Sequence, residues 1–351
     1  MASPTSPPFL TNALDGTGGV IKQADADFRV DEIPAYEPTG EGDHVIARIR
    51  KCGIPTFEAV KRIAIATGVS ERDIGTAGLK DARAITTQQI SLPPPLSPEH
   101  LESLEVEGIE IISAARHPHK LRTGHLRGNN FVITVRDCDK NEDEAAELAN
   151  SVLTALAEAP GMPNWFGEQR FGRDGNNASA GRDLLLGQFR GRKPKPRMLR
   201  LFLSSIQSLL FNEVLIRRVA NDDYRNVIGG DLLKKTDSGG IFASEGTDDE
   251  KVRFRTGAVV ATGPMFGPKM MRPAVGTALA ELENAVLEAS GLTLGDFARY
   301  KKLAPGTRRP LSVALGEFAV KPIGQRAIEV SFSLPSGSYA TSVLREITKP
   351  T

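Results

Sequence analysis

The 351-residue chain has little of the chemistry that marks a redox, secreted or membrane protein. It has two cysteines, Cys52 and Cys138, which form neither a CxxC motif nor a metal-type cluster. We therefore expect reduced thiols and a cytoplasmic location. No run approaches the roughly 18 consecutive apolar residues of a membrane span, and the N-terminus has no cationic region followed by an apolar block. The sequence thus predicts neither a membrane span nor a secretory signal.

Motifs for nucleotide and metal chemistry are also missing. The glycine-rich segment 16–19 follows no strand pattern, and its third glycine falls at the wrong offset for a dinucleotide-binding loop. The sequence has no Walker motif, GxSxG elbow or HExxH motif. His117, His119 and His125 lie close in sequence, but no fourth ligand at ordered spacing accompanies them. The sequence therefore predicts no metal and no cofactor, and contact with RNA or solvent is expected for these histidines.

Charge is balanced overall but unevenly distributed along the chain. Forty-four Lys and Arg residues face 43 Asp and Glu residues, a formal net charge of +1 that alone does not indicate nucleic-acid binding. No acidic residue occurs between Ile111 and Arg136, or between Asp183 and Glu213. A solvated surface is the simple explanation of any one basic run, whereas several runs favour contact with a phosphate backbone. The runs contain Arg116, Lys120, Arg122, Arg127 and Arg136; Arg190, Arg192, Lys193, Lys195, Arg197 and Arg200; and Arg299, Lys301, Lys302, Arg308 and Arg309.

Hydrophobic periodicity predicts a mixture of helices and strands without a regular βαβ repeat, which favours the α+β class. Alternating residues predict strands over Phe28–Ile33, Phe131–Val135, Val252–Val260 and Ile328–Leu334. Helices are predicted from Thr56 as N-cap to Gly68, after an Asn141–Glu144 capping box, over about Leu199–Ala220 and over Thr277–Ser290.

Two segments rich in proline and glycine, Glu158–Pro163 and Leu303–Pro310, interrupt the chain. An insertion of the segment between them into another domain produces this pattern, and so do two consecutive domains. These segments alone leave both arrangements open.

The most informative motif is Ala77-Gly-Leu-Lys80-Asp81-Ala-Arg-Ala-Ile-Thr-Thr-Gln88. By itself, Gly-x-Lys-Asp is typical of a solvated turn. The stretch, however, resembles the GxKDxxAxTxQ signature of the TruD family, tRNA pseudouridine synthases that modify uridine 13. Further matches follow in the family's order and span nearly the whole chain, except for residues 221–275. They are Phe28-x-Val30-x-Glu32, Gly40-Glu-Gly42-Asp-His44, His119 to Phe131, Gly161 to Gly172, Arg308-Arg309 and Leu334 to Glu346.

This resemblance implies an isomerase that converts uridine to pseudouridine in tRNA, at position 13 of the D arm. Such enzymes break the N-glycosidic bond, turn the base and rejoin it through carbon, and they need neither cofactor nor metal. One carboxylate is indispensable, and the resemblance assigns that role to Asp81. An aspartate is ionised at neutral pH because its unperturbed pKa is about 3.9. Attack on ribose C1′ and proton abstraction at C2′ both stay open.

The resemblance also implies which residues hold the target base after it leaves its stack. The family's substrate-pocket positions fall on Phe28, Asn129, Phe131 and Phe332. Core packing is the alternative for the phenylalanines, because they lie on strand-like alternation. Lys80 is expected to bind substrate or orient the loop, with a solvent-facing position as the alternative. The RNA-contacting residues implied by the resemblance are Arg122, Arg170, Arg308 and Arg309.

Members of the family have a pseudouridine-synthase catalytic core, built on a mixed, circularly permuted β-sheet, and an inserted α/β TRUD domain. Residues 1–160 and 309–351 are expected to form the catalytic domain, and residues 161–308 the insertion. The two would enclose a basic cleft for the tRNA phosphate backbone with Asp81 at its floor, in a monomeric protein. The alternatives are an RNA-binding or RNA-chaperone protein of the same fold, and a pseudouridine synthase acting on another RNA.

Overall fold

A computed structural model describes residues 7–172, 175–192 and 194–350. Lys193 of the second basic run lies outside the described residues. The chain divides into two compact units. The nine-strand unit comprises Leu14–Leu153, Leu315–Ala340 and the described residues from Ile347. The four-strand unit comprises the described residues up to Ala13, Thr154–Ala314 and Thr341–Glu346.

The strands and helices follow one another in mixed order along the chain. The strands are β1 (Gly18–Ile21), β2 (Phe28–Pro34), β3 (His44–Cys52), β4 (Gly75–Thr76), β5 (Ile85–Leu92), β6 (Ile109–His117), β7 (Leu126–Cys138), β8 (Met162–Pro163), β9 (Leu232–Lys235), β10 (Ile241–Ala243), β11 (Val259–Met265), β12 (Thr307–Pro310), β13 (Ser312–Val313), β14 (Phe318–Gly324) and β15 (Ala327–Pro335). The α-helices are α1 (Thr56–Thr67), α2 (Pro98–Glu102), α3 (Glu142–Ala157), α4 (Asn176–Leu185), α5 (Pro196–Ala220), α6 (Asp248–Arg255), α7 (Ala278–Ser290) and α8 (Ala340–Thr348).

The larger sheet has the strand order β14-β15-β7-β2-β5-β3-β6, with β1 paired to β7 and β4 paired to β5. Strands β2 and β5 are parallel, whereas the other neighbours are antiparallel. The sheet is therefore mixed, and the predicted α+β class is confirmed.

The register of this sheet brings alternate residues of several strands to one side, here called the inner face. Val30 of β2 lies opposite Phe131 of β7 and beside Thr86 of β5, which in turn lies opposite Lys51 of β3. Paired residues of neighbouring strands point to the same face, and the side-chain period along a strand is two. Phe28, two residues before Val30, therefore also belongs to the inner face.

Helix α1 contributes its apolar side to the core of the nine-strand unit. Ala59 and Ile63 of α1 are buried in one cluster with Ile49 of β3 and Ile90 of β5. The helix ends at Gly68, whose φ of 72° is left-handed and favours glycine, and this confirms the predicted end.

The start of α1 differs from the prediction. Pro55 occupies the N-cap position, and Thr56 is the first helical residue. The Thr56 hydroxyl donates to Gln88 Oε1 at 2.9 Å and accepts the Lys80 backbone N–H at 2.8 Å. The N-cap prediction for Thr56 is therefore wrong, because tertiary contacts use the hydroxyl that a cap would need.

The four-strand unit contains a sheet of order β10-β9-β11-β12 and a separate β8–β13 pair. Its longest helix, α5, confirms the prediction of a long apolar helix and buries Leu203, Leu210, Phe211 and Val214. Helix α5 is long and apolar enough to cross a membrane, but 56% of its most apolar stretch is buried inside the protein. Its length and composition therefore also fit the core helix of a compact unit.

The predicted strand over Val252–Val260 is wrong in its first half. Residues Asp248–Arg255 form α6 behind a capping box, in which Thr247 Oγ1 accepts the Glu250 N–H and Glu250 accepts the Thr247 N–H. Strand β11 begins only at Val259. The cap decides the local structure because it satisfies two helical N–H donors. The other strands and helices predicted above are confirmed.

Candidate active site

The segment Ala77–Arg83, here called the Asp81 loop, leads from β4 to β5 and is tied to its surroundings by its backbone. The Ala77 carbonyl accepts the Gly124 N–H at 2.8 Å. The Lys80 N–H donates to Thr56 Oγ1, and the Asp81 carbonyl accepts from Lys51 Nζ at 2.8 Å. Three separate parts of the nine-strand unit therefore hold the loop on either side of Asp81.

Lys80 forms a buried ion pair with Glu32 of β2. Lys80 Nζ lies 2.7 Å from Glu32 Oε2, and the two side chains are 5% and 1% exposed. The second Glu32 oxygen accepts the Gln89 backbone N–H at 3.1 Å. The alternative that Lys80 faces solvent is therefore wrong. Its ammonium fastens the loop to β2, while substrate binding by Lys80 stays a prediction.

The Asp81 side chain, in contrast, is accessible. It is 43% exposed, and its Oδ2 accepts from Lys22 Nζ at 2.9 Å. The loop thus combines a fixed backbone with a carboxylate that a substrate can reach. Lys22 lies just after β1 with a left-handed φ of 61°. It belongs to no recognised motif and was therefore not predicted from the sequence.

Lys22 also connects Asp81 to the predicted phenylalanines. Its ammonium lies 4.1 Å from the centroid of the Phe28 ring, within cation–π distance. The Phe28 and Phe131 centroids are 6.3 Å apart in a T-shaped arrangement, and those of Phe131 and Phe332 are 5.4 Å apart and stacked. The structure therefore brings the three rings together on the inner face and links Asp81 to Phe28 through Lys22. The rings are 2% to 7% exposed, so they also pack as core, and their contact with substrate stays a prediction.

Asn129 lies on the same face, two residues before Phe131 on β7 and opposite Glu32. Its Oδ1 is buried and has no hydrogen-bond partner among the described residues, and the same holds for Gln88 Nε2 on β5. An unpaired buried polar atom costs roughly 1–3 kcal/mol. One unsatisfied acceptor and one unsatisfied donor are therefore available on this face.

Lys51 is a second lysine of the site that was not predicted from the sequence. Its side chain is buried at the end of β3, and Nζ donates to the carbonyl oxygens of Ile54 at 2.6 Å and Asp81 at 2.8 Å. Burial lowers the Lys51 pKa to about 8; the Asp81 charge opposes this shift and the Lys80 charge adds to it. The sequence did contain a sign of this position, because Lys51 lies two residues after the buried Ile49 and therefore points to the same inner face.

The sequence matches one family, described as tRNA pseudouridine synthase D (TruD), over residues 8–192 and 190–347. The chain belongs to the TruD family.

Relatives of the TruD family cover the chain nearly end to end. A tRNA pseudouridine synthase D of Anaeromyxobacter dehalogenans strain 2CP-1 is 45% identical over 98% of this chain and 97% of the relative. The Thermus thermophilus tRNA pseudouridine synthase D is 41% identical over 97% of this chain and 92% of the relative. The crystal structure of a putative tRNA pseudouridine synthase D from Methanosarcina mazei superposes with a TM-score of 0.79 at 24% identity, over 98% and 96% of the two chains, and shows the shared fold.

The TruD motif that begins at His119 spans the connection between β6 and β7 and the start of β7, and the connection lies next to the Asp81 loop. Gly124 in this connection donates to Ala77, and Arg122 is exposed. Tyr36 contacts two histidines of this region. Its hydroxyl lies 2.7 Å from His125 Nδ1, and its ring stacks on the His117 ring with the two centroids 5.0 Å apart.

The electrostatic setting of this connection is basic. Burial lowers the His117 pKa, and His119 and His44 shift it in the same direction. Among the described residues, no group of three or more His, Cys, Asp or Glu side chains has a metal-binding arrangement. Arg122 stays a predicted RNA contact.

Arg308, which was predicted to contact RNA, is instead buried in an ion pair. Its side chain is 1% exposed, and Nη1 lies 2.7 Å from Glu283 Oε1 inside the four-strand unit. Its Nε donates to Thr262 Oγ1 at 3.1 Å. The prediction is wrong, because a buried guanidinium engaged in these bonds does not present donors to a phosphate.

The other two predicted arginines of the four-strand unit are half-buried around one aromatic ring. The Arg309 guanidinium carbon lies 4.2 Å from the Phe166 ring centroid, and that of Arg170 lies 5.7 Å from it. Arg170 also donates to Ser208 Oγ at 3.3 Å. RNA contact by Arg170 and Arg309 stays a prediction.

Proposed function

We propose that this chain converts uridine to pseudouridine in tRNA, at position 13 of the D arm, with Asp81 as the catalytic group and without a cofactor. The observation that carries the proposal is the contrast within one residue. Asp81 has an accessible carboxylate, while its backbone carbonyl is held by the buried Lys51. Such a fixed but reachable carboxylate is what a nucleophile or a general base requires. The chain's membership of the TruD family supports the same reaction.

In the nucleophilic route, an Asp81 oxygen bonds to ribose C1′ as the C1′–N1 bond breaks, and uracil leaves with the electron pair. Uracil then turns, its C5 bonds to C1′, and the Asp81 carboxylate is released. The C5 proton is lost and N1 gains a proton, so the product is an isomer of the substrate. In the alternative route Asp81 removes the C2′ proton as the C1′–N1 bond breaks, so that a glycal and a uracil anion form. After uracil turns, its C5 bonds to C1′ while Asp81 returns the proton to C2′, and the transfer of the C5 proton to N1 completes the isomer. The Lys22 ammonium, 2.9 Å from Asp81, supplies positive charge near the departing uracil in either route.

The target base must leave its stack to reach Asp81, as in other enzymes that act on bases. The Phe28, Phe131 and Phe332 cluster supports a site for the flipped base, since stacking on an aromatic ring contributes about 1–3 kcal/mol. Uracil carries an N–H donor and carbonyl acceptors on one edge. The unpaired Asn129 Oδ1 and Gln88 Nε2 have the complementary chemistry.

We also propose the domain division expected from the sequence, with residues 1–160 and 309–351 as the catalytic domain and 161–308 as the inserted TRUD domain. The nine-strand unit supports the catalytic domain, because it contains Asp81 and every predicted substrate-pocket residue, whereas Thr341–Glu346 of the proposed domain belong to the four-strand unit. The exposed Arg122 and the stretch without acidic residues around it support contact with the tRNA backbone.

A direct test is to incubate the protein with an unmodified tRNA transcript and map pseudouridine by chemical sequencing. Conversion at uridine 13 is expected, with no conversion in a transcript that carries cytidine there. Conversion at another uridine of the tRNA would refute the assignment to position 13. Conversion of a different RNA alone would refute tRNA as the substrate. Binding of tRNA without any conversion would favour an RNA-binding or RNA-chaperone role instead.

A further inference from the structure

Lys51 is a charged residue at a place where the strand pattern calls for an apolar one. It lies two residues after Ile49 on β3, so both side chains point to the inner face. The Lys51 side chain is among the largest fully buried ones in the protein. Burying an ammonium is costly unless hydrogen bonds compensate it. The acceptors it finds are two backbone carbonyls, those of Ile54 and Asp81.

These two acceptors belong to different segments. Ile54 lies between β3 and α1, whereas Asp81 lies in the Asp81 loop. The ammonium therefore bridges the two segments at 2.6 and 2.8 Å. On the N-terminal side of Asp81, Thr56 Oγ1 accepts the Lys80 N–H. The backbone is thus fixed both before and after the Asp81 Cα.

We propose that Lys51 is a positioning residue for catalysis: its ammonium holds the Asp81 carbonyl and thereby aims the Asp81 carboxylate at the ribose. The inference rests on the proposed function, because it gives Lys51 a role in the reaction assigned to Asp81. Lys51 touches neither base nor ribose in this role. Its effect falls on the rate of the chemical step, since a displacement of about 1 Å in a reacting group can cost about 100-fold in rate.

The charges around Lys51 make this role sensitive to pH. Asp81 and Lys80 face it from the Asp81 loop, Cys52 is its neighbour on β3, and Glu32 of β2 pairs with Lys80. With a pKa lowered to about 8, Lys51 is protonated at pH 7 and loses its proton as pH rises above 8. The neutral amine then no longer offers a charge-assisted hydrogen bond to the Asp81 carbonyl.

The contribution of Lys51 to the stability of the fold changes with pH in the opposite direction from the predicted catalytic rate. Because the folded-state pKa lies below the unfolded value of about 10.4, the unfolded chain binds more protons between pH 8 and 10.4. The contribution of Lys51 to the free energy of unfolding therefore becomes more favourable as pH rises through that window. Catalysis should fall where this contribution to stability rises, and the two roles are thus separable.

The experiment compares Lys51→Met, Lys51→Arg and, as the matched control, Lys61→Met on the exposed side of α1. Single-turnover rate and tRNA affinity are measured on unmodified transcript from pH 6.5 to 9.5, and hydrogen exchange of residues 78–83 is measured without RNA. For Lys51→Met we expect about a 100-fold slower rate, affinity within about three-fold and faster exchange of the loop amides. The wild-type rate should fall above pH 8, whereas that of Lys51→Arg should stay level.

Several results would overturn the inference. One is a folded Lys51→Met variant with the rate and loop exchange of Lys61→Met. Another is an alkaline decline that Lys51→Arg shares with the wild type, and this comparison decides the matter if Lys51→Met does not fold. If neither the wild type nor Lys61→Met forms pseudouridine, the proposed function fails, while the hydrogen-exchange comparison still tests whether Lys51 holds the loop.

Discussion

Both units of this protein bury an ion pair, but the two pairs differ in what lies beside them. In the four-strand unit, Arg308 and Glu283 pair at 2.7 Å with both side chains at most 4% exposed. In the nine-strand unit, Lys80 and Glu32 pair at the same distance and are similarly buried. The residue after Lys80, however, is the accessible Asp81. A buried pair thus lies inside the packed four-strand unit in one case and directly beside an accessible carboxylate in the other.

The largest expected effect comes from the accessible carboxylate itself. Asp81→Asn keeps the shape of the side chain and removes its negative charge, so it should reduce the rate of pseudouridine formation by about 1,000-fold or more. Affinity for tRNA and the unfolding midpoint should change little, because the side chain is 43% exposed and pairs only with Lys22 among the described residues. Rapid turnover by this variant would remove Asp81 from the mechanism.

The second-largest expected effect distinguishes the Lys80–Glu32 pair from the Arg308–Glu283 pair by its influence on the reaction rate. Removing one partner of a buried pair typically costs about 3–5 kcal/mol, because the other charge is left uncompensated. Glu32→Gln and Glu283→Gln should therefore both lower the free energy of unfolding, measured in urea. Glu32→Gln should also slow the single-turnover rate of the molecules that stay folded, since it frees Lys80 beside Asp81.

Glu283→Gln is the matched control for that comparison. Its folded fraction should react at the wild-type rate, because its partner Arg308 lies within the four-strand unit. Equal losses of rate per folded molecule in the two variants would show that the two pairs do not differ in function.

A smaller effect is expected at Asn129. Its unpaired Oδ1 lies on the face that carries the phenylalanine cluster, so Asn129→Ala should slow turnover more than it weakens tRNA binding. A loss of one hydrogen bond to uracil corresponds to about 1–2 kcal/mol, or about a ten-fold slower rate. Equal losses in rate and affinity would instead identify a structural asparagine.

These contrasts also explain what the sequence was able to predict. The loop position of Asp81 was predictable because Gly-x-Lys-Asp is a local turn motif, and the strands that carry Phe131 and Phe332 follow from simple alternation. Lys51 and Thr56 contact the backbone of a loop that lies 30 and 24 residues further along the chain, and no local pattern encodes such a contact. Arg308 was mistaken for an RNA contact because neither the family motif nor the basic run that contains it reveals its buried partner, Glu283.

The smallest expected effect compares an exposed arginine with the buried one. Arg122 is exposed in the connection beside the Asp81 loop, so Arg122→Ala should weaken tRNA binding a few-fold and reduce the slope of log affinity against log salt by about one. Arg308→Lys keeps the charge but loses the guanidinium contacts to Thr262 and Glu283. It should therefore lower stability without changing that slope in the folded fraction. If Arg122→Ala left the slope unchanged, the basic stretch from Ile111 to Arg136 would be a solvated surface, and tRNA contacts would have to be sought at Arg170 and Arg309.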